Sequence, residues 1–583
     1  MTISRVASRW LVSGMCAAAA AVAFGSVSLQ TARSRPPVYV VYFTPADREP
    51  LPGYRERLDR VMTDVRAFYE SEMKRNGYGP MTFGLERDGS GPLVVHLVKS
   101  AKAYAKGQTV EWDDVIAKVN RRLRADGIRP STSHAVIFQN LVFTDGRKVE
   151  CRAPYGGLGT HVMGRACVTD HVDVDPPNLA RAQPVLLVND REQPLNEYVM
   201  AQIGGVAHEL GHALGLPHNM ETPEENATLG RALMGSGNYT YGGERAGKRR
   251  GSFLTKATAL LLSRHPLFGG AAGDPATSPR GALPELLCQA DQGVMRITGR
   301  AQGDVPIAGL AVYLDPLPQR SDYDAASWTA QVSPDGTFRF DVPQRPRGLY
   351  ELRLRLLHAN GAQSVFEFPY RLDDPAHPPT GAIDRRHLYQ EMAVRAYERR
   401  DAVALDAAVE RLAGSDDLWL KKARLLRAAL DRKAPALVAP ADIHDDIKDL
   451  PLSRTRWESA SVGWASPVRD VMPDSGYLME SGDDVHEMGL YAHAPSRFVF
   501  KLGGKWTRFE AGCGLQNWVP GSVTFQVKGD GRLLWECGKV TDWTERRVSV
   551  GVAGVQVLEL IAGDAGDGKY ADQAMWFSPT MRR

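Results

Sequence analysis

The chain has 583 residues, of which 24% are charged, and a formal net charge of +3. Because this charge is small and no basic block carries interleaved aromatic residues, the sequence gives no support for nucleic acid as a partner. A chain of this length needs more than one hydrophobic core, and we expect about four domains. Beyond the N-terminal segment, no run is long and apolar enough to span a membrane.

Residues 1–32 are predicted to be a secretory signal peptide. Arg5 and Arg9 precede an apolar run at about residues 10–27, which ends in small residues. A positive segment, an apolar segment and a small-residue cleavage site are the parts of such a signal. The run is also long enough for a retained single-span anchor, so this alternative stays open. In both cases we expect a secreted, periplasmic or cell-surface protein.

In an oxidising compartment, the cysteines are able to form disulfides. Of the six cysteines, five follow the signal: Cys151, Cys167, Cys288, Cys513 and Cys537. Cys151 with Cys167, and Cys513 with Cys537, are local pairs that are predicted to close disulfides. Cys288 is left over, and we expect it to be buried and inert.

Residues 36–268 show the alternation of strand and helix patterns that an α/β domain requires. The run 38–43 is apolar and predicts a buried strand, and residues 54–76 carry apolar side chains on one helical face. The glycine-rich segment 155–161 is either an edge strand, able to pair with an extended peptide, or an ordinary loop. Further patterns predict strands at 81–85, 93–98 and 135–143 and a helix at 112–125.

The most informative motif is H-E-x-x-H-x-x-G-x-x-H, formed by His208, Glu209, His212, Gly215 and His218. Residues four apart lie on one helical face, so His208 and His212 aim at one point. Gly215 permits the turn that ends the helix and lets His218 supply a third nitrogen. Three protein ligands leave one position of tetrahedral zinc open, which is typical of a catalytic site. Glu209 then lies beside the reacting water as general base.

The motif has two other interpretations. Histidines in a helix are most often surface or core residues, but here apolar residues recur at helical spacing and place the ligands on a buried helix: Val199, Ile203, Val206, Leu210 and Leu214. A glutamate further on as third ligand would define a gluzincin, with Glu221, Glu224 or Glu225 in that role. His218 at the required spacing disfavours this alternative.

The motif resembles that of the metzincin zinc metallopeptidases, whose fold is a twisted sheet backed by helices. The resemblance implies that Met234, in the turn 232–237, forms an apolar floor below the histidines without binding the metal. Ordinary core filling by Met234 is the alternative. Some metzincins place a tyrosine that stabilises the transition state two residues after this methionine. Here that position is Ser236, and Tyr239 and Tyr241 are the nearest candidates.

The middle of the chain is predicted to connect and space the functional parts. Residues 269–286 are rich in Gly, Ala and Pro and indicate a linker. Residues 287–375 show short alternating runs and a turn at 334–336, which predicts an Ig-like or transthyretin-like β-sandwich that serves as a spacer. Residues 380–446 are rich in Ala, Leu, Arg and Glu at helical period and predict a helical connector.

The last module, residues 447–583, carries a series of motifs in order. They are the segments 489–496, 498–504, 508–509, 523–531 and 563–568. Together they resemble the NPCBM family of carbohydrate-binding modules. Members of that family are jelly-roll β-sandwiches that bind glycans, often galactose-type sugars, and some hold calcium. The resemblance therefore implies a carbohydrate partner, and it allows for Ca²⁺ in this module beside Zn²⁺ in the first.

A shallow sugar site needs an aromatic face for the ring and polar groups for the hydroxyls. The candidates in this module are His493, Trp464, Gln516, Asn517, Trp518 and Trp576. A tryptophan in a β-sandwich is more often part of the core, which is the alternative for each of the three. The aspartates of the module either take part in binding or only shape turns: Asp470, Asp564, Asp567 and Asp572.

The sequence thus predicts a multidomain α+β protein with a metzincin-like α/β catalytic domain, an Ig/transthyretin-like β-sandwich, a helical connector and a C-terminal jelly roll. We expect a zinc endopeptidase in which the metal acidifies a water and Glu209 takes its proton. The C-terminal module would hold it on glycoproteins or glycan-rich surfaces. The alternatives are a catalytically inactive glycan-binding adhesin and a glycan-active hydrolase, although no opposed carboxylate pair is evident for the latter.

Overall fold

A computed structural model describes residues 35–583, except 105–109, 152, 249, 292–293, 318–322, 379, 415–417, 432–435, 472–477, 483, 518 and 520. The predicted signal and the sugar-binding candidate Trp518 lie outside these described residues. Pro36–Arg583 form one compact unit, which contains several separate hydrophobic cores. No helix of the described part of the chain is long and apolar enough to cross a membrane.

The first module is built on a six-stranded sheet with the order β2-β1-β4-β8-β7, in which β3 also pairs with β1. Its elements are β1 (Pro37–Thr44), α1 (Tyr54–Arg75), β2 (Gly84–Leu85), β3 (Val95–Lys99), α2 (Trp112–Ala125), β4 (His134–Gln139), β5 (Val142–Asp145), β6 (Lys148–Cys151), β7 (Gly156–Gly159), β8 (Gly164–Thr169), β9 (Val185–Val188), β10 (Arg191–Pro194), α3 (Leu195–Ala213), α4 (Pro223–Thr228), β11 (Gly230–Ala232), β12 (Gly251–Phe253) and α5 (Lys256–Leu262). All pairs in this sheet are parallel except β7 with β8.

The sheet is covered by helices on both faces, as a parallel sheet requires. Val40 and Tyr42 of β1 belong to the core formed with α1 and α3, whereas Val41 and Phe43 belong to the core formed with α2. This alternation explains why the run 38–43 is apolar throughout. It also places α3, which carries the histidine motif, on the same face of the sheet as α1.

Several predicted elements of this module are shorter or divided. The strand expected at 81–85 is reduced to Gly84–Leu85, and the strand expected at 135–143 is two strands, β4 and β5. The division occurs because β5 leaves the large sheet and joins a second one with the order β10-β9-β6-β5. The segment 155–161 contains the edge strand β7, which pairs only with β8 in the described chain.

The second module is a seven-stranded β-sandwich. Its sheets have the orders β13-β14-β17 and β16-β15-β18-β19, and they enclose a common core. The strands are β13 (Gly281–Asp291), β14 (Val294–Gly303), β15 (Ile307–Leu317), β16 (Ala326–Ala330), β17 (Thr337–Val342), β18 (Gly348–His358) and β19 (Gln363–Leu372). The expected linker 269–286 is therefore too long, because β13 begins at Gly281 and pairs from there with β14. The predicted turn at 334–336 is present, with Gly336 at a φ of 87°.

The sandwich is not the spacer that the sequence led us to expect. Ala311, Tyr313 and Leu357 of the sandwich belong to the hydrophobic core of the first module. The backbone N–H of Met220 donates to the carbonyl of Ala325 at 2.9 Å, so a segment of the first module extends alongside β16. The two modules consequently share a continuous apolar interface.

The chain continues through a helical connector into the last module. The connector contains α6 (Thr380–Leu388), a π-helical stretch Tyr389–Val394, α7 (Arg395–Glu398), α8 (Ala402–Leu412) and α9 (Leu418–Leu430). These helices have a core of their own. A buried ion pair, Lys422 Nζ to Glu480 Oε2 at 2.7 Å, joins α9 to the module that follows.

The last module is a sandwich of two five-stranded sheets with an added hairpin. One sheet has the order β20-β31-β26-β29 with β24 also on β31, and the other has the order β21-β25-β30-β27-β28. Both contribute to one core. The strands are β20 (Asp449–Pro451), β21 (Ser459–Ser461), β22 (Met479–Ser481), β23 (Asp484–His486), β24 (Gly489–Tyr491), β25 (Ser496–Lys501), β26 (Arg508–Leu515), β27 (Val523–Gly529), β28 (Arg532–Val540), β29 (Arg546–Gly551), β30 (Val557–Gly563) and β31 (Ala574–Arg582).

The predicted disulfides are wrong, because all five of these cysteines are free thiols. Cys151 lies on β6 of the smaller sheet of the first module, whereas Cys167 lies on β8 of the larger sheet. Cys513 and Cys537 lie on strands of the two facing sheets of the last module. Cys288 is buried, as expected.

Candidate metal centre and substrate cleft

Helix α3 brings the first two histidines and the glutamate of the motif to one place. Its side chains are buried on nearly every face, and His208 is 1% exposed. The helix ends at Ala213 in a Schellman turn, in which Leu216 N–H donates to Gly211 O at 3.1 Å and Gly215 N–H to His212 O at 2.9 Å. Gly215 has a φ of 81°, which explains the glycine of the motif. This turn sends the chain back towards the helix.

The turn carries His218 to the other two histidines. Nε2 of His212 lies 3.1 Å from Nε2 of His208 and 2.9 Å from Nε2 of His218. Zn–N bonds of about 2.0–2.1 Å at tetrahedral angles separate ligand nitrogens by about 3.3 Å. The two measured separations are close to this value, and all three ligand nitrogens lie within 4.8 Å of one another. Among the described residues, these histidines form the group of ligand-type side chains close enough to share a metal.

The outer nitrogens of two rings are held by backbone carbonyls. His208 Nδ1 donates to Leu233 O at 2.6 Å, and His212 Nδ1 donates to Leu216 O at 2.9 Å. A donor bond at Nδ1 leaves Nε2 unprotonated and fixes the ring's orientation, as metal ligation requires. Burial and the neighbouring His212 lower the pKa of His208 to about 3, so this ring is neutral.

Glu209 lies beside the cluster on the same helix. Burial raises the pKa of Glu209 to about 7, opposed by a hydrogen bond from the backbone N–H of Gly157. A divalent cation held by the histidines would lower this pKa and favour the carboxylate. The carboxylate form is the one that accepts a proton from a water molecule.

Met234 packs against α3. A Cβ added to Gly211 would meet Met234 Sδ at 2.4 Å, so the thioether lies against the helix at this glycine. Met234 is 1% exposed, and its carbonyl accepts the backbone N–H of Asn219 at 3.2 Å. Its role as an apolar floor below the histidines stays a prediction.

The two tyrosines considered for the transition state have different positions. Tyr241 is 1% exposed and donates its hydroxyl to Asp64 at 2.7 Å, which occupies it in a structural contact. Tyr239 is 64% exposed. It is near enough to Tyr155 to contribute, after burial, to the raised pKa of that residue. Tyr239 therefore remains a candidate, whereas Tyr241 does not.

The edge strand β7 lies against α3 at Glu209 and His212. A Cβ on Gly157 would lie 2.0 Å from Glu209 O, so glycine is needed for this close approach to α3. The unpaired edge of β7 faces away from β8, and Leu158 on this strand is 72% exposed. An extended peptide can add to such an edge through main-chain hydrogen bonds.

Tyr323 lies at the histidine cluster, although no sequence pattern indicated this residue. Its ring centroid is 3.7 Å from that of His218, at an interplanar angle of 27°, and 5.9 Å from that of His208, at 8°. The residue belongs to the β15–β16 connection of the sandwich. No local pattern could have identified it, because its position depends on how the two modules pack.

In the last module, three of the sugar-binding candidates lie at one end of the sandwich. Trp464 is 48% exposed, and its ring centroid lies 6.0 Å from that of His493. Gln516 is half-buried and donates to Glu480 at 3.3 Å. Trp464 offers an accessible aromatic face, as a sugar site requires.

Two other candidates have structural positions. Trp576 is fully buried in the core and meets Phe525 edge to face at 5.2 Å, so its assignment to a sugar site is wrong. Asn517 uses both ends of its amide on Gly482, accepting from its N–H at 2.7 Å and donating to its carbonyl at 2.8 Å. It therefore shapes the chain rather than offering free hydrogen-bonding groups.

The aspartates of this module have protein partners. Asp470 pairs with Arg454, and Asp567 pairs with Lys539 at 2.9 Å. Asp572 is fully buried and accepts a backbone N–H. Calcium in this module stays a prediction.

The comparison with protein families concerns this last module. Residues 448–582 match the NPCBM/NEW2 domain family. This confirms the NPCBM-type module that was predicted at 447–583. No curated protein matches the chain.

Solved structures give further similarities. Wild-type OgpA from Akkermansia muciniphila is 24% identical over 58% of this chain and 94% of its own, with a TM-score of 0.49. The CBM51 from Clostridium perfringens GH95 in complex with methyl-galactose is 26% identical over 23% of this chain and 99% of its own, with a TM-score of 0.22. The M60 catalytic domain with CBM51-1 and CBM51-2 from Clostridium perfringens ZmpB is 11% identical over 93% of this chain and 63% of its own, with a TM-score of 0.24.

Proposed function

We propose that this protein is a metzincin-type zinc endopeptidase that acts on glycoproteins or at glycan-rich surfaces. The observation that carries the proposal is the convergence of three Nε2 atoms, from His208, His212 and His218, with Glu209 next to His208 on the same helix. When bound there, a zinc ion would supply Lewis acidity and a water acidic enough to react near neutral pH.

The chain's own residues account for the rest of the chemistry. The free edge of β7 holds an extended substrate by main-chain hydrogen bonds, and exposed Leu158 contributes apolar surface there. Glu209 accepts the proton of the attacking water and returns it to the leaving nitrogen. Gly157, whose N–H bonds to Glu209, joins the substrate strand to the general base.

The NPCBM match supports the choice of substrate. A sugar-binding module on the same chain raises the effective concentration of the catalytic module at glycosylated targets. With the predicted signal peptide, this favours a secreted or cell-surface enzyme. The expected partners are a glycoprotein and its carbohydrate.

The decisive experiment compares Glu209→Gln with the wild type on casein, mucin and a matched pair of glycosylated and plain peptides. Loss of the general base is expected to lower kcat by about 10²–10⁴-fold while zinc binding is retained. His212→Ala is expected to lose the metal, and chelation of the wild type to abolish cleavage reversibly.

Glu224→Gln is the matched control, because Glu224 is an exposed glutamate on α4. The Glu224→Gln variant is expected to keep full activity. If this variant lost the metal, the result would instead support Glu224 as a metal ligand. Glycan binding without peptide cleavage by the zinc-loaded wild type would favour the inactive adhesin. Release of sugar without peptide cleavage would favour a glycan hydrolase.

A further inference from the structure

Tyr323 brings the β-sandwich into contact with the metal centre. Its ring is close to parallel with two imidazoles, those of His218 and His208. The Nε2 atoms of these two imidazoles converge at the cluster. Because Tyr323 stacks on both imidazoles, its ring covers the side of the cluster that faces the sandwich. Tyr323 is nevertheless 43% exposed, so much of its surface is open to another molecule.

The segment after Tyr323 is anchored where the third ligand is held. Met220, two residues after His218, forms a parallel β-bridge with Ala326 and donates its N–H to Ala325. Gln363 of the sandwich also donates to Gly215 O, in the turn that delivers His218, at 3.4 Å. The sandwich is therefore held to the ligand-bearing segment by backbone contacts, and the position of Tyr323 follows from them.

The metal centre is consequently bordered by residues of two modules. Gly157 of β7 contacts Glu209 and His212, whereas Tyr323 contacts His218. A peptide that pairs with β7 and reaches the histidines must pass the exposed part of the Tyr323 ring. An aromatic ring that is partly buried and partly open offers apolar contact to a side chain without a large loss of conformational entropy.

We infer that Tyr323 is the sandwich-side wall of the substrate cleft, against which the substrate residue beside the scissile bond packs. The active site is then shared between the first module and the sandwich. This inference rests on the proposed function. It adds a substrate contact that is made by the sandwich. The aromatic ring, rather than the hydroxyl, makes the contact.

The kinetic test uses the full-length zinc-loaded protein. Tyr323→Ala is expected to lower kcat/KM about 10–100-fold, mainly through KM, because an apolar contact with the substrate is lost. Tyr323→Phe keeps the ring and is expected to stay within about threefold of the wild type. Zinc content is expected to be unchanged in both variants. Tyr570→Ala is the matched control, since Tyr570 is an exposed tyrosine of the last module, 66% exposed.

Three outcomes would overturn the inference. Unchanged kcat/KM in Tyr323→Ala would show that the ring does not contact the substrate. Loss of zinc in that variant would show that Tyr323 only positions His218. Equal losses in Tyr323→Phe and Tyr323→Ala would assign the effect to the hydroxyl instead of the ring.

A second measurement does not depend on peptide hydrolysis. In chelator-treated protein, diethyl pyrocarbonate is expected to modify His218 several-fold faster in Tyr323→Ala than in the wild type or Tyr323→Phe, as followed by mass spectrometry. An equal rate in all three would contradict the stacking of Tyr323 on His218. If the wild type cleaves no peptide, the proposed function fails, while this rate still tests the wall that Tyr323 forms.

Discussion

At the scale of single residues, the site depends on which atoms are left free by their neighbours. Nδ1 of His208 and of His212 is bound to a backbone carbonyl, which directs both Nε2 atoms to the same point. In the last module, the sugar-binding candidates also differ in whether their side chains are occupied by protein contacts. Asn517 is fully engaged by Gly482, whereas the ring of Trp464 is about half exposed. Free groups, rather than residue types, decide what can bind.

We therefore expect Trp464→Ala to weaken the binding of a galactose-type glycan by about tenfold, because a sugar ring loses its aromatic partner. Cleavage of a glycoprotein should slow, whereas cleavage of a plain peptide should not change. Calorimetric titration of the full-length protein, together with both cleavage assays, measures these effects.

Leu533→Ala is the control for this variant, since Leu533 lies on β28 and is also 48% exposed. Equal glycan affinity in the wild type and Trp464→Ala would exclude this residue from the sugar site. Slower cleavage of the plain peptide would show that the substitution acts on the first module.

At the scale of elements, the cleft depends on how closely β7 and β8 approach α3. Added Cβ atoms on Gly157, Gly159 and Gly164 would lie 1.9–2.0 Å from carbonyl oxygens of α3, those of Glu209 and Ala213. From its sequence, the glycine-rich segment 155–161 was either an edge strand or a loop. Its glycines are explained by the close contact of the strand with helix α3. The same contacts hold β7 and β8 close to α3, the helix that carries Glu209.

Gly157→Ala is expected to force β7 away from α3 and lower kcat/KM by at least about tenfold, with a cost in stability of about 1–3 kcal/mol from overpacking. Peptide kinetics, zinc content and thermal denaturation measure the separate effects. Gly84→Ala is the control, because Gly84 lies on β2 of the same sheet and its added Cβ would be 3.9 Å from Pro37. Wild-type kinetics in Gly157→Ala would show that this approach is not needed for catalysis.

At the scale of the whole molecule, buried histidines make contacts within the first module and between the helical connector and the sandwich. His134 donates to Thr160 O at 2.8 Å, and its ring lies 5.1 Å from that of His265. His387 of α6 donates to Leu283 O of the sandwich at 2.6 Å. Burial lowers the pKa of His134 and of His387 to about 4 and lowers that of His265 as well.

These histidines are expected to make the fold sensitive to acid. They are neutral in the folded protein, whereas the unfolded chain binds protons below its histidine pKa of about 6.5. Stability is therefore fully present above pH 6.5 and falls as the pH decreases from about 6.5 towards about 4. His134 and His387 each contribute on the order of 3 kcal/mol to this loss.

His387→Gln tests this effect, because an amide can still donate to Leu283 O but does not titrate. Its melting temperature is expected to fall less steeply than that of the wild type between pH 6.5 and pH 4.5. His377→Gln is the control, since His377 is an exposed histidine whose side chain is 83% accessible. Parallel curves for the wild type and His387→Gln would contradict the prediction.

The sequence by itself determined the features that depend on local spacing. The meeting of the three histidines proposed as ligands follows from their positions, four and six residues apart, on one helix and its terminal turn. The helix Trp112–Ala125 and the apolar strand Pro37–Thr44 follow from periodicity. The NPCBM module was also predictable, because several of its motifs follow one another in order along the chain, and residues 448–582 match that family.

Only the tertiary structure decided which distant residues meet. It buried Trp576 and left Trp464 exposed, and it left Cys513 and Cys537 as free thiols. It also turned an expected spacer into a module that places Tyr323 on His218. The physical reason is that periodicity reports which face of an element is apolar, but not which other element covers that face. That choice depends on packing between modules, in which the contacts join residues far apart in the chain.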